Sequence, residues 1–225
     1  MSRKAVFFLM VLAPALAIWL ALMGLETLRT NLMGWFLLVF GIAYPAGGLI
    51  YYFIRKGPFW KSAASGKVVQ EEKDDRSFWV ILPGMLVAFF APPLEFMYWH
   101  LLPHPLWGQI AGLVLVFAAL VLRLWTRAHI RGLYSGHVEI QTEHKLVQTG
   151  PYRWVRHPGY TGLLLMALGV AVGYFSLIGV VAIFVLLIPG LAYRMQVEER
   201  LLAVQFGEEY YNFSRRSKKL IPGVW

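Results

Sequence analysis

Six apolar stretches, separated by connectors that hold almost every basic side chain, constrain this chain more than any single motif. They cover about 5–23, 32–54, 78–98, 106–127, 160–175 and 177–194. Several reach the roughly 17–25 residues that a helix needs to cross a bilayer. Only 15% of residues are charged, where a soluble domain carries about 25%. In hydrocarbon every backbone amide must be satisfied inside the protein, which leaves helices or a closed barrel. The stretches lack the alternation of barrel strands. The sequence therefore predicts an all-α, polytopic transmembrane helix bundle of about six segments.

The connectors set the orientation. Counted along this alternation, every lysine and arginine except Arg29 falls on one side. By the positive-inside rule both termini and all three large polar regions are cytoplasmic. This distribution assigns the net charge of +9 to topology rather than to nucleic acid. Ser2-Arg3-Lys4 precedes the first apolar run, from Ala5 to Met23. That run is longer than a signal-peptide core and lacks a cleavage site, so it reads as a membrane segment.

Local features refine the segments. The loop 55–77 mixes both charge signs around Glu71-Glu72-Lys73-Asp74-Asp75-Arg76 and reads as a solvated connector. Pro92-Pro93 predicts a kink or early end of the third segment near Ala91. Glu95 with Tyr98, Trp99 and His100 reads as an outer interfacial cluster. The last two segments are short, joined by Tyr174-Phe175-Ser176, and no charge lies between Tyr160 and Tyr193. They predict a tight helical hairpin that barely spans. Its first arm carries Gly159, Gly162, Gly169 and Gly173, small residues that let helices approach closely in lipid.

Ionisable residues gather at the mouth of this hairpin. On one side lies Gly150-Pro151-Tyr152-Arg153-Trp154-Val155-Arg156-His157-Pro158-Gly159-Tyr160. Pro158 suits the first position of a helix and His157 its N-cap. A helix N-terminus favours an anionic ligand group, and Tyr152, Trp154 and Tyr160 offer stacking faces. On the other side lies Arg194-Met195-Gln196-Val197-Glu198-Glu199-Arg200. If the helix continues, Arg194 and Glu198 are one turn apart on one face. Each cluster has a plain alternative, an interfacial anchor for the first and a solvated salt bridge for the second. The tail, with Arg215, Arg216, Lys218 and Lys219, reads as a basic segment against anionic lipid. The chain has no cysteine. Its histidines lack zinc-type spacing, so no metal site is expected, and no dinucleotide glycine motif is present. A Rossmann domain is therefore not expected.

Taken together, these clusters resemble the isoprenylcysteine carboxyl methyltransferase family of integral membrane methyltransferases. The matching string is His-x-Leu-Val-x-x-Gly-Pro-Tyr-x-x-x-Arg-His-Pro-x-Tyr-x-Gly, from His144 to Gly162. It is followed by Arg-x-x-x-Glu-Glu-x-x-Leu, then Phe-Gly-x-x-Tyr, from Arg194 to Tyr210, and by Ile221-Pro222. The likeness covers roughly 137–222, and the first four segments carry no comparable signature.

The resemblance implies S-adenosylmethionine held between a cytosolic loop and the hairpin. Carried over by position, its contacts are His144, Lys145, Leu146, Val147, Tyr152, His157, Pro158, Gly159, Tyr160 and Glu198. Gln141 is the candidate for an upstream glutamine of the family. Arg194 falls at a substrate-contacting arginine and, with Glu199, makes up the expected catalytic pair. The chain thus divides into transmembrane segments at 1–127 and a cofactor-binding catalytic region at 128–225. The expected reaction is methyl transfer to a lipophilic acceptor, most simply a carboxylate of the isoprenylcysteine type, at the cytoplasmic face. A small thiol or a phospholipid amine is a further acceptor class. The alternatives are a sterol-type lipid reductase using NADPH and a non-catalytic membrane protein.

Overall fold

A computed structural model describes residues 13–55, 68–71, 76–99, 101–130, 139–141 and 146–225. The start of the first apolar run, most of the connector after the second, His100, and His144 with Lys145 lie outside the described residues. Among the described residues seven helices follow in order: α1 (Ala13–Thr27), α2 (Met33–Arg55), α3 (Arg76–Tyr98), α4 (Leu106–His129), α5 (Pro158–Gly173), α6 (Leu177–Phe206) and α7 (Glu208–Arg216). Two short strands, β1 (Val68–Glu71) and β2 (Glu139–Gln141), pair antiparallel. They tie the α2–α3 connector to the α4–α5 connector.

The fold is the expected helical bundle. Among the described residues, three stretches are long and apolar enough to cross a membrane: Trp79–Tyr98, Leu106–His129 and Leu177–Phe206. Ala13–Thr27, Met33–Ala43 and Pro158–Gly173 are shorter apolar helices. The 16 residues of α5 rise about 24 Å, less than the roughly 30 Å hydrocarbon core. The core draws on every helix that crosses it, with Leu20, Leu37, Phe89, Val116, Met166, Val170, Leu187 and Leu191 in one cluster.

In lipid, helices associate through packing and polar bonds rather than through escape from water. The crossing of α4 and α5 uses the first means. A Cβ placed on Gly112 would lie 2.6 Å from the Gly169 carbonyl oxygen and 2.5 Å from the Gly173 Cα. The two backbones touch there, and any larger residue would drive them apart.

Polar bonds close the bundle at the α5–α6 turn. The Tyr174 hydroxyl shares a 2.8 Å hydrogen bond with Thr27 Oγ1 at the end of α1. Asn31 donates from Nδ2 to the Gly173 carbonyl. Gln109 of α4 accepts from the Leu32 amide and donates to the His104 carbonyl.

Glu95 corrects the expected interfacial cluster. Its residue is 2% exposed, and its carboxylate accepts from Ser176 Oγ at 2.5 Å and from the Leu177 and Ile178 amides at 3.1 and 3.0 Å. It therefore caps the N-terminus of α6 from another helix, satisfying donors that no turn within α6 can reach. Tyr98 and Trp99 are exposed, as an interfacial belt requires. Of the kink or early end expected near Ala91, the early end does not occur: α3 runs to Tyr98 with Pro83, Pro92 and Pro93 inside it.

The helix α6 contains one irregularity. Ile183–Leu187 forms a π-helical turn, in which the Ile188 amide bonds to the Ile183 carbonyl five residues back. Pro189 follows, and a wider turn before a proline relieves its clash with the preceding carbonyl. Beyond it the helix continues to Phe206. That continuation places Arg194, Glu198 and Glu199 on a rigid rod.

Candidate functional site

The site lies at the end of the bundle opposite Tyr174, where α5 begins. The chain enters through a 3₁₀ turn, Gly150–Arg153. Gly150 has φ +61°, and a Cβ there would strike the His129 ring of α4. Only glycine meets both conditions. Trp154 then packs edge-on against Trp125, with centroids 5.6 Å apart. Pro158 occupies the first turn of α5 and His157 its N-cap, as the sequence predicts.

The tail folds back onto this entry, and its reading as a lipid-contact segment misses that role. Val155 pairs with Lys218 in a parallel bridge. The Arg156 and His157 amides donate to the Lys218 and Lys219 carbonyls at 2.7 and 3.1 Å. Thr161 Oγ1 donates to the Leu220 carbonyl, and Leu220 itself is fully buried in the core.

Two adjacent carboxylates of α6 meet this assembly on different sides. Glu198 Oε1 accepts from Arg194 Nε at 3.1 Å and from the Tyr160 hydroxyl. Arg194 Nε also donates to the Tyr160 oxygen at 2.7 Å. Glu199 Oε1 accepts from Arg156 Nε at 2.8 Å, and Oε2 pairs with Lys219 Nζ at 2.9 Å. Arg156 is spent on the tail as well, donating to the Ser214 and Ser217 carbonyls.

His157 sits between the two carboxylates. Its Nδ1 is 3.4 Å from Glu198 Oε2, and its Nε2 is 3.4 Å from Glu199 Oε1. Its ring stacks on Tyr160, with centroids 5.7 Å apart. Carboxylates accept only, so both ring nitrogens face acceptors, and a ring that donates at both is the imidazolium. Burial pulls the His157 pKa down. The hydrogen bonds and charges of Glu198 and Glu199 outweigh it, and the net pKa lies above the ordinary 6.5. Tyr210 of α7 is buried beside the same cluster. Burial pushes its phenol up, and the Glu199 charge adds to the rise.

The structure thus gathers His157, Pro158, Gly159, Tyr160, Arg194, Glu198 and Glu199 within one cluster. A Cβ on Gly159 would meet nothing within 4 Å, so the first turn of α5 has an open side. Leu146, Val147 and Tyr152 are half-buried on the approach to that turn. Gln141 ends β2, while His144 and Lys145 lie outside the described residues.

Sequence reasoning missed Arg156 and Lys219 as members of the cluster, and Arg123 of α4, which donates to the Gly159 carbonyl at 3.4 Å. Arg156 stands inside the matching string, directly before His157, and that place was a usable signal. Nothing local marks Lys219.

Comparison with known proteins places this architecture. The family model described as phospholipid methyltransferase matches residues 107–209, from the start of α4 into α7. A probable protein-S-isoprenylcysteine O-methyltransferase of Oryza sativa subsp. indica is 32% identical over 64% of this chain and 72% of its own length. Protein-S-isoprenylcysteine O-methyltransferase B of Arabidopsis thaliana is 28% identical over 63% of this chain and 73% of its own. The solved structure of a eukaryotic intramembrane Ras methyltransferase, an isoprenylcysteine carboxyl methyltransferase, shares the fold. It has a TM-score of 0.60, covers 92% of this chain and 73% of its own, and is 17% identical.

Proposed function

We propose a reaction for this chain from one premise: it belongs to the isoprenylcysteine carboxyl methyltransferase family and is a membrane methyltransferase. The methyl donor is S-adenosylmethionine. The acceptor is lipophilic and presents a carboxylate of the isoprenylcysteine type. Transfer takes place at the cytoplasmic face, where both termini lie. Residues 1–127 hold the site in the membrane, and 128–225 bind the cofactor.

The observation that carries this reading is the cluster around Glu198. Two sequence motifs separated by the hairpin meet there, with Tyr160 and Arg194 on the same carboxylate oxygen. The side chains fit the donor. Glu198 keeps 22% of its side chain exposed, so its charge is within reach of a cationic ligand. The Tyr160 ring lies beside it, and the open side of Gly159 lets a ligand come close to the backbone. When bound, S-adenosylmethionine would supply an electrophilic methyl on a sulfonium, which an acceptor carboxylate would take as an ester while the C–S electron pair stays on sulfur.

The chain's part is to bind, orient and exclude water. Glu198 offsets the positive charge of the donor. His157, Pro158, Gly159 and Tyr160 shape the wall at the start of α5, with Leu146, Val147, Tyr152 and Gln141 on the preceding segment and His144 and Lys145 between them. Arg194 orients the acceptor carboxylate, a role that suits the planar guanidinium. A carboxylate is already ionised at neutral pH, so no general base is needed. Holding two reactants in line, away from water, supplies much of the acceleration.

The test is transfer of label from S-adenosylmethionine into a membrane lipid extract and into an isoprenylcysteine carboxylate, with products identified by mass. Methyl ester formation is the expected result, and label on amines or thiols alone would reassign the acceptor. In calorimetry, Glu198→Ala is expected to weaken S-adenosylhomocysteine binding roughly ten- to hundred-fold, since a charge-assisted bond is worth about 1.5–3 kcal/mol. Arg194→Ala is expected to keep that affinity within a few-fold and lose turnover.

A further inference from the structure

The tail and the two glutamates leave a question that methyl transfer alone does not answer. Glu198 has two oxygens. Oε1 is held by Arg194 and Tyr160, whereas Oε2 faces the His157 Nδ1. Arg194 and Tyr160 thus fix one oxygen of the carboxylate, and a proton on the His157 Nδ1 helps to fix the other. A neutral imidazole donates from one nitrogen only. With Nε2 facing Glu199 Oε1, a neutral ring can hold one carboxylate and must present a lone pair to the other.

We propose that Glu199 is a positioning residue of the methyl-transfer site: it acts through the His157 ring on the Glu198 carboxylate, and Lys219 of the tail sets how strongly it does so. The proposal rests on Glu198 as the counter-charge for the donor. Glu199 itself is turned away from Tyr160 and Arg194. Its contacts are Arg156, Lys219, the Tyr210 hydroxyl and the far nitrogen of His157. Its side chain is 15% exposed and that of Arg156 9%. Both groups are thus largely withdrawn from solvent, and the Glu199 carboxylate acts on His157 with little screening by salt.

Glu198 and Glu199 on α6 and Tyr160 on α5 face His157 directly; Arg194 on α6, Arg156 before α5, Lys219 on the tail and Tyr210 on α7 stand against those groups in turn. The two glutamates favour the imidazolium. Arg156 and Lys219 partly neutralise one of them and so oppose it. The raised pKa of His157 agrees with the glutamates prevailing. The tail is therefore part of the reaction centre by way of one ammonium group, although it lies about sixty residues from the histidine in sequence.

The experiment follows the His157 ring in the cofactor-free full chain by nitrogen-labelled histidine NMR across pH, with His157→Gln identifying its signal. Glu199→Gln is expected to lower the titration midpoint by on the order of one unit or more, the usual effect of a neighbouring opposite charge. Lys219→Met is expected to raise it by a smaller amount, and Glu199→Asp to restore most of the wild-type value. Structural damage does not move one titration in opposite directions through two partners of a single ion pair. The alkaline limb of kcat/KM should shift in step with the ring. An unmoved midpoint in Glu199→Gln, or shifts of the same sign in Glu199→Gln and Lys219→Met, would overturn the proposal. Where Glu199→Gln does not fold, Lys219→Met decides alone: a raised midpoint supports it, and an unchanged or lowered one overturns it. The titration needs no donor, so a wild-type chain that transfers no methyl would overturn the function proposed above while leaving this result readable.

Discussion

The α5–α6 hairpin has two ends made from similar side chains, and they are put to different use. At the turn, one carboxylate, Glu95, meets three neutral donors: the Ser176 hydroxyl and two amides. At the mouth, Glu198 and Glu199 meet Arg156, His157, Arg194 and Lys219. The first arrangement is closed and buried. The second keeps part of each carboxylate in reach of solvent. Neutral donors that saturate a carboxylate fix a shape. Cations brought from several segments leave a charge balance that a ligand or a proton can alter. The same acidic group is a fastener at one end and a recognition element at the other.

Three experiments break or sharpen that contrast. The largest effect is expected from Glu95→Ala. It strands three donors, each costing about 1–3 kcal/mol when buried unpaired. Thermal unfolding in detergent should show a loss of at least about 3 kcal/mol, while folded protein keeps its affinity for S-adenosylhomocysteine. Equal losses in stability and affinity would erase the distinction between the ends.

The next concerns pH. His157 is raised above its ordinary 6.5 by its glutamates. Its pairing therefore stabilises the cofactor-free fold in full below about 6.5, and that contribution fades as pH rises through the raised folded value. Unfolding midpoints should fall on the alkaline side, and His157→Gln should flatten the fall. A wild-type midpoint that rises with pH over that window would contradict the charge balance at the mouth.

The smallest effect is expected from Tyr174→Phe, which removes the hydroxyl bonded to Thr27. Polar bonds between membrane helices are worth about 0.6–2 kcal/mol, so a loss of about 1 kcal/mol in unfolding free energy is expected, with no change in methyl transfer.

Sequence and structure agree where the signal is local. The apolar runs predict the bundle. Gly150–Tyr160 announces a turn running into a helix, and Arg194 with Glu198 announces one helical face. They disagree where a partner is distant. Glu95 sits in an aromatic, proline-rich stretch that looks interfacial, and its real partner, Ser176, is 81 residues away. Lys219 reads as one more basic tail residue because nothing nearby names Glu199. Of the kink or early end expected near Ala91, the early end does not occur, for a related reason. Proline costs a helix a bond and a clash, but a segment packed against α6 can absorb that cost.

The π-helical turn at Ile183–Leu187 also sets an angular phase. It inserts the equivalent of one residue into an otherwise regular rod, and each residue of an α-helix advances about 100°. Tightening that turn by a single residue would swing the lower half of α6 through roughly that angle. Arg194, Glu198 and Glu199 would then sweep together off Tyr160, His157 and the tail, with every side chain at the mouth intact and none of it aligned. A wide turn some ten residues up the helix is thus the vernier by which the whole cluster is aimed.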